Sequence, residues 1–244
     1  MSKTLEMEYQ IDKKRDQILN LLSGADDTHI HNAYNYVYHR ASDECENLFQ
    51  YPDYMPADKI HIYLSFSAIH NMQPAWDYIW NNRDTKIDLG GMRQLHSILA
   101  QGTDIQGGVY RISDAYVERL QQSAPPYHIM LYKISDIEYA LNDENVPAMQ
   151  RAVRAHYDII AAQPFNDFNK RTARMVMNWL LLQNNYTPIL FNQRTDKHDY
   201  MYWMLKNARA DGQHPGYIEY MYSCMQRTQD MIIDMLRNSK TQEF

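Results

Sequence analysis

The sequence predicts an all-α fold carrying one small β-hairpin. Three observations lead there. Glycine is scarce, 8 in 244 residues, while methionine reaches 15, a balance that favours helices over a turn-rich β fold. Apolar residues recur at helical spacing along most of the chain. One stretch alone, Gly107-Gly108-Val109-Tyr110-Arg111-Ile112, reads as a strand, with Tyr116-Val117 as its possible partner in a hairpin.

The elements follow in order. Between Leu5 and Leu22, the positions Ile11, Ile18, Leu19 and Leu22 form one stripe, which Ser23-Gly24 stops. Asp26-Asp27-Thr28 can cap a second helix from about His29 to Phe49, ended by Pro52 and Pro56. Ile60 to Trp80 reads as a helical stretch disturbed at Pro74, and Leu89 to Ala100 as a helix closed by Gln101-Gly102. Pro125-Pro126 turns the chain into a helix over Tyr127 to Asn142. The next helix, Asn145 to Ala162, lines one face with Ala148, Ala152, Ala155, Ile159 and Ala162, small residues that suit close packing. The period resumes from Arg171 to Gln183, and two further helices cover about Lys197 to Ala210 and Tyr217 to Asn238.

Composition narrows the function classes. Apolar residues make up 45% and charged residues 22%, the balance of a soluble globular protein. The net charge of -6 argues against binding nucleic acid through bulk charge, although a local basic pocket remains open. No apolar run approaches the roughly 20 residues of a transmembrane helix, and Met1 to Asp16 lacks a signal-peptide core. Cys45 and Cys224 are far apart, which suits two reduced thiols. A cytoplasmic protein that does not enter a membrane is the expectation.

The chemistry concentrates between two helices, in Gln163-Pro164-Phe165-Asn166-Asp167-Phe168-Asn169-Lys170-Arg171-Thr172-Ala173-Arg174. A polar loop at a helix start is a natural anion site, because backbone N–H groups point outward and the dipole favours negative charge. Asp167 can ligate Mg²⁺, which takes one or two carboxylates together with phosphate oxygens. Asn169 can donate its amide to a phosphate. Lys170, Arg171 and Arg174 supply positive charge, and the planar guanidinium fork suits two phosphate oxygens at once. The same residues would also make an ordinary capped helix start with a solvated charge cluster.

This stretch resembles the signature of the Fic (Fido) family, His-Pro-Phe-x-Asp/Glu-Gly-Asn-Gly/Lys-Arg-x-x-Arg. It matches at Pro164, Phe165, Asp167, Asn169, Lys170, Arg171 and Arg174, and its Asn-Lys-Arg-Thr-Ala run also looks like the death-on-curing branch. Upstream, Leu95-His96, Gly107 to Arg111 and Pro125-Pro126 look like the family's preceding helix and flap, and the likeness covers roughly residues 60 to 210. It implies three segments: an N-terminal helical region (1–58), a Fic core (59–212) and a C-terminal helix (213–244).

The resemblance implies a Mg·ATP-dependent protein adenylyltransferase that moves AMP to a hydroxyl of a protein substrate. Asp167 would hold Mg²⁺, Asn169, Lys170 and Arg171 the phosphates, and Arg174 the γ-phosphate. Gly108, Val109, Tyr110 and Arg111 would form the flap edge on which the target docks by strand addition. Upstream, Ser42-Asp43-Glu44-Cys45-Glu46-Asn47 matches the family's inhibitory pattern, in which Glu46 would pair with Arg174 and displace the γ-phosphate.

Two positions depart from the signature. Gln163 stands where the family has its general base, and a side-chain amide has no useful basicity near neutral pH. Phe168 stands where the family has a small residue, and would be strained if that position needs a positive φ. An autoinhibited, weakened adenylyltransferase is therefore one expectation. A catalytically inactive nucleotide- or protein-binding pseudoenzyme is another, and a death-on-curing-like phosphotransferase a third. His156, two helical turns before Gln163, is a candidate substitute base or a packed helical histidine.

Overall fold

The computed structural model describes residues 2–35, 71–117, 122–191 and 193–240. Eight helices and one hairpin are bounded among them: α1 Lys3–Leu21, α2 Met72–Asn81, α3 Leu89–Leu99, β1 Tyr116–Val117, β2 Gln122–Ser123, α4 Tyr127–Leu141, α5 Ala148–Ala162, α6 Asn169–Gln183, α7 Gln193–Ala208 and α8 Pro215–Lys240. Residues 27–35 are also helical, and the Asp26 carboxylate caps them by accepting the His29 N–H at 2.8 Å. The all-α expectation with a small hairpin holds. The inhibitory motif at Ser42, Glu46 and Asn47 lies outside the described residues.

The chain divides into two compact units, Met1–Gln50 with Asn185–Asn207 and Gln213–Phe244, and Tyr51–Asn184 with Ala208–Gly212. Helices α1 and α8, which the sequence reading assigns to separate ends of the chain, thus belong to one unit. In that unit α1 lies along α8. Ile11 and Ile18 are buried, as the helical stripe requires, and the Tyr222 hydroxyl donates to Glu8 Oε1 at 2.9 Å.

The second unit is built on the packed pair α5 and α6. Ala152, Ala155, Ile159 and Ala162 of α5 and Val176, Met177, Leu180 and Leu181 of α6 are all buried, and the three alanines suit a close approach of the two helices. A large apolar area leaves water at this contact, about 25 cal/mol per Å². α4 packs on α5, while α2 and α3 pack on α6. Gly91 in α3 meets the Trp179 indole so closely that an added Cβ would lie 2.6 Å from it.

Several boundaries move for local reasons. The Asn145 helix begins at Ala148, because Pro147 occupies its N-cap and residues 143–147 form a turn. In α2, Pro74 lies within the first turn, where its missing N–H costs nothing.

The strand prediction is the main correction. Gly107 to Ile112 is not a strand, and the hairpin forms later, with Tyr116 opposite Ser123 and Val117 opposite Gln122. The backbone groups of the expected strand are already committed elsewhere. Gly108, at φ +70°, gives its N–H to His96 Nδ1 at 2.8 Å, and its carbonyl accepts from Arg93 Nε at 2.7 Å. The Arg111 N–H donates to the Pro164 carbonyl at 2.9 Å. A segment whose donors and acceptor bond to a helix and a loop cannot also pair as a ladder.

Candidate functional site

The site grows from the way α5 ends. Gln163 adopts a left-handed conformation (φ 46°, ψ 62°) and its N–H closes the last turn on Ile159 O at 3.0 Å. Pro164 cannot continue the helix. Five residues later Phe168 is again left-handed (φ 57°, ψ 9°), and α6 starts at Asn169. Two non-glycine residues with positive φ thus bracket a six-residue turn. Each costs on the order of 1–2 kcal/mol relative to the right-handed region, so the surroundings must over-determine the loop.

The loop's own amides do much of this. Asn169 Oδ1 accepts the Phe165 N–H at 2.9 Å, while Asn169 Nδ2 donates to Phe165 O at 2.8 Å and to Gln163 Oε1 at 3.0 Å. Gln163 Nε2 in turn donates to Ile160 O at 2.7 Å. Both amide hydrogens of Asn169 are therefore spent inside the loop. The side chain expected to donate to phosphate is, in this arrangement, part of the loop's frame.

Aromatic packing holds the floor. The His96 ring stacks on Phe165 with centroids 3.8 Å apart and planes at 8°, and Tyr110 stacks on Phe165 from 5.4 Å. His96 Nδ1 accepts from Gly108, which leaves the ring proton on Nε2, the atom facing Asp167 O at 3.1 Å. Burial lowers the His96 imidazole to about 4, against the opposing pull of the Asp167 carbonyl. It is neutral at pH 7, as its two hydrogen bonds require. Burial likewise raises the Tyr110 phenol to about 12.

The charged residues line the rim. Asp167 is exposed and its Oδ1 accepts the Phe168 N–H at 2.6 Å. The Arg171 guanidinium lies 4.9 Å over the buried Phe168 ring, so the aromatic residue that narrows the loop also holds one of its cations. Lys170 and Arg174, four apart on α6, both act electrostatically on His156 of α5. His156 is fully buried, and burial, followed by Arg174 and Lys170, lowers it to about 3. A neutral imidazole sealed from solvent is a packed helical histidine and cannot meet a substrate hydroxyl.

The four expected flap residues divide. Val109 is 36% exposed, whereas Arg111 is only 3% exposed. Its Nε donates to Gln163 O at 2.6 Å, and its other nitrogens reach Ser113 O, Pro125 O and Ala162 O. Arg111 thus faces the loop instead of an outside partner. The exposed apolar side chains near the hairpin are Ile112 at 83% and Tyr116 at 62%. Sequence reasoning missed His96 and Arg111 as supports of the loop. The available signal was a histidine and an arginine each set among apolar neighbours, a pattern that asks for buried partners.

Among the described residues no cluster of three or more His, Cys, Asp or Glu side chains could hold a metal alone. One exposed carboxylate beside three cations suits a hydrated Mg²⁺ that arrives with its phosphates better than a bare ion. Among the described residues no helix is long and apolar enough to cross a membrane.

Comparison with known proteins places this geometry. Residues 86–181, which contain α3, the hairpin and the whole loop, match the model of the Fic/DOC family. Protein adenylyltransferase Fic-1 of Caenorhabditis briggsae is 30% identical over 114 residues, which cover 45% of this chain and 22% of that protein. Protein adenylyltransferase Fic of Nematostella vectensis is 23% identical over 241 residues, 92% of this chain and 55% of that one. The chain therefore spans about half or less of these curated relatives. The solved structure of Fic-1 from C. elegans superposes with a TM-score of 0.71 at 18% identity, over 97% of this chain and 73% of the other, a likeness of fold. The family match thus falls on the segment that builds the loop: residues 86–181 carry a match to the Fic/DOC family domain.

Proposed function

We propose that the loop receives the phosphates of Mg·ATP and that the chain is a protein adenylyltransferase weakened at Gln163. The observation that carries this reading is the left-handed entry at Phe168 into α6, with exposed Asp167 on one side and Lys170, Arg171 and Arg174 on the first turn and a half. That arrangement offers a carboxylate for the metal, a positive helix start and three cations for phosphate. The adenylyltransferase names of the relatives point the same way.

In this reading Asp167 would hold Mg²⁺, and Lys170, Arg171 and Arg174 would hold phosphate oxygens. Mg·ATP supplies the electrophilic phosphorus when bound. Gln163 can orient a target hydroxyl by hydrogen bonding but cannot take its proton. Losing a general base typically costs 10²- to 10⁴-fold, which leaves a residual rate from positioning. The exposed side chains around β1 and β2, Ile112 and Tyr116 above all, support docking of a protein substrate there. Glu46 would restrain the site by pairing with Arg174.

A second reading is a nucleotide-binding pseudoenzyme. It is favoured by the mutual engagement of Gln163 and Asn169, which spends the polar ends of both on the loop itself. One experiment separates the readings. Wild type, Glu46→Gly, Gln163→His and the double variant are incubated with lysate proteins and ATP labelled on either the α- or the γ-phosphate. Transfer of α-label, strongest in the double variant, supports the adenylyltransferase. Transfer of γ-label alone indicates a phosphotransferase. Silence of all four, with tight Mg·ATP binding by calorimetry, establishes the binding module.

A further inference from the structure

We propose that Arg111 is a positioning residue for this site, fixing the backbone of residue 163 and thereby the point from which its side chain faces the phosphate loop. The proposal deepens the nucleotide-site reading and rests on it for its catalytic consequence only. The geometry stands on its own. Arg111 captures three consecutive carbonyls at the end of α5: its guanidinium donates to Ala162 O at 3.3 Å and Gln163 O at 2.6 Å, and its backbone N–H to Pro164 O at 2.9 Å. The same guanidinium donates to Ser113 O and Pro125 O, each at 2.6 Å. These two carbonyls flank the hairpin, just before β1 and just after β2.

The physical need is specific. The last carbonyls of a helix lack intrahelical partners and carry its negative pole, so a buried cation both satisfies and neutralises them. Gln163 holds a positive φ that is intrinsically unfavourable for a residue with a Cβ. Released from Arg111, its carbonyl would lose a charged donor in a buried place, and the peptide would be free to return to the right-handed region. The side chain at 163 would then turn away from Asn169. Only a planar, five-donor group can reach four carbonyls at once, which separates Arg from Lys here.

The test uses the full chain with Arg111→Lys and Arg111→Met, each in wild type and in Gln163→His. Hydrogen exchange reads the positioning directly. The Gln163 and Phe165 amides, bonded to Ile159 O and Asn169 Oδ1, are expected to lose about tenfold or more of their protection, while the core amides of α6 keep theirs. In Gln163→His, kcat for α-label transfer is expected to fall about 100-fold in both variants, with KM for ATP changed much less. Unchanged protection at Gln163 and Phe165 overturns the proposal whatever the activity. Equal loss of protection throughout α6 also overturns it, since Arg111 would then be a general stability residue. If Gln163→His stays silent even when combined with Glu46→Gly, the adenylyltransferase reading fails alone and the exchange result still decides the role of Arg111.

Discussion

At residue 168, glycine is expected to be the more stable replacement and alanine the less stable, the reverse of the usual order. Phe168 combines a buried ring, 4% exposed, with a left-handed backbone at φ 57°. Truncating a buried phenylalanine costs about 3–5 kcal/mol through lost transfer energy and the cavity left behind. Phe168→Ala loses the ring and keeps the backbone cost of about 1–2 kcal/mol. Phe168→Gly loses the same ring and is relieved of that cost, so it should unfold about 1 kcal/mol later than the alanine variant. At an ordinary position glycine is worse than alanine by about 0.5–1 kcal/mol. The assay is urea denaturation of the three proteins, compared at a common slope. An alanine variant as stable as the glycine variant, or more so, would refute the argument, because residue 168 would then not be held left-handed in solution. The same pair is informative for binding. Both release Arg171 from the Phe168 ring, but only glycine lets the backbone adapt to a phosphate at the start of α6.

Three further outcomes follow from the same structure. His156 is held neutral, with its folded pKa at about 3 against an unfolded 6.5. Its stabilising contribution is thus complete above pH 6.5 and is lost as pH falls, at about 1.4 kcal/mol per unit; between pH 6.5 and 5, wild type should lose about 2 kcal/mol more than His156→Gln in urea titrations. Gly107→Ala would set a Cβ 2.8 Å from the Ser97 Cα, and because backbone meets backbone there it should cost about 1–3 kcal/mol, read as a lowered melting temperature. Asn169→Ala would strip the buried Phe165 N–H of its acceptor and should cost about 1–3 kcal/mol, whereas Asn169→Asp, which keeps an acceptor for Phe165, should recover part of that in the same denaturation series.

The helices were legible because their stripes are local. Ile11 and Ile18 in α1, or Ala152, Ala155, Ile159 and Ala162 in α5, announce a buried face by spacing alone, and all of them are buried. The loop's residue types were legible too, since a carboxylate and three cations at a helix start have few uses. What was not legible depends on partners distant in sequence. Gly107 to Ile112 has the composition of a strand, but its N–H and C=O groups are claimed by His96, Arg93 and Pro164, and no periodicity encodes such a claim. The left-handed turn at Gln163 was hidden for a related reason, whereas the small residue of the family signature had raised the question of a positive φ at Phe168. Neither residue type signals a positive φ, and the conformation is imposed by Arg111 on Gln163 O at one end, while at the other His96 Nε2 bonds Asp167 O and Asp167 Oδ1 accepts the Phe168 N–H.

That imposition changes what Gln163 means. From the sequence it is a missing base. In the structure its Oε1 also takes an amide hydrogen of Asn169, and its Nε2 is bound to Ile160 O. Replacing it alters two things at once, the basicity at 163 and the freedom of the amide at 169. A histidine there would supply a base and withdraw the amide oxygen from Asn169, so increased transfer by Gln163→His would not by itself identify base catalysis. Gln163→Ala separates the two, since it releases Asn169 and adds no base. Tighter nucleotide binding in both variants with turnover in the histidine variant alone would divide the site's deficit into an occupied donor and an absent proton acceptor.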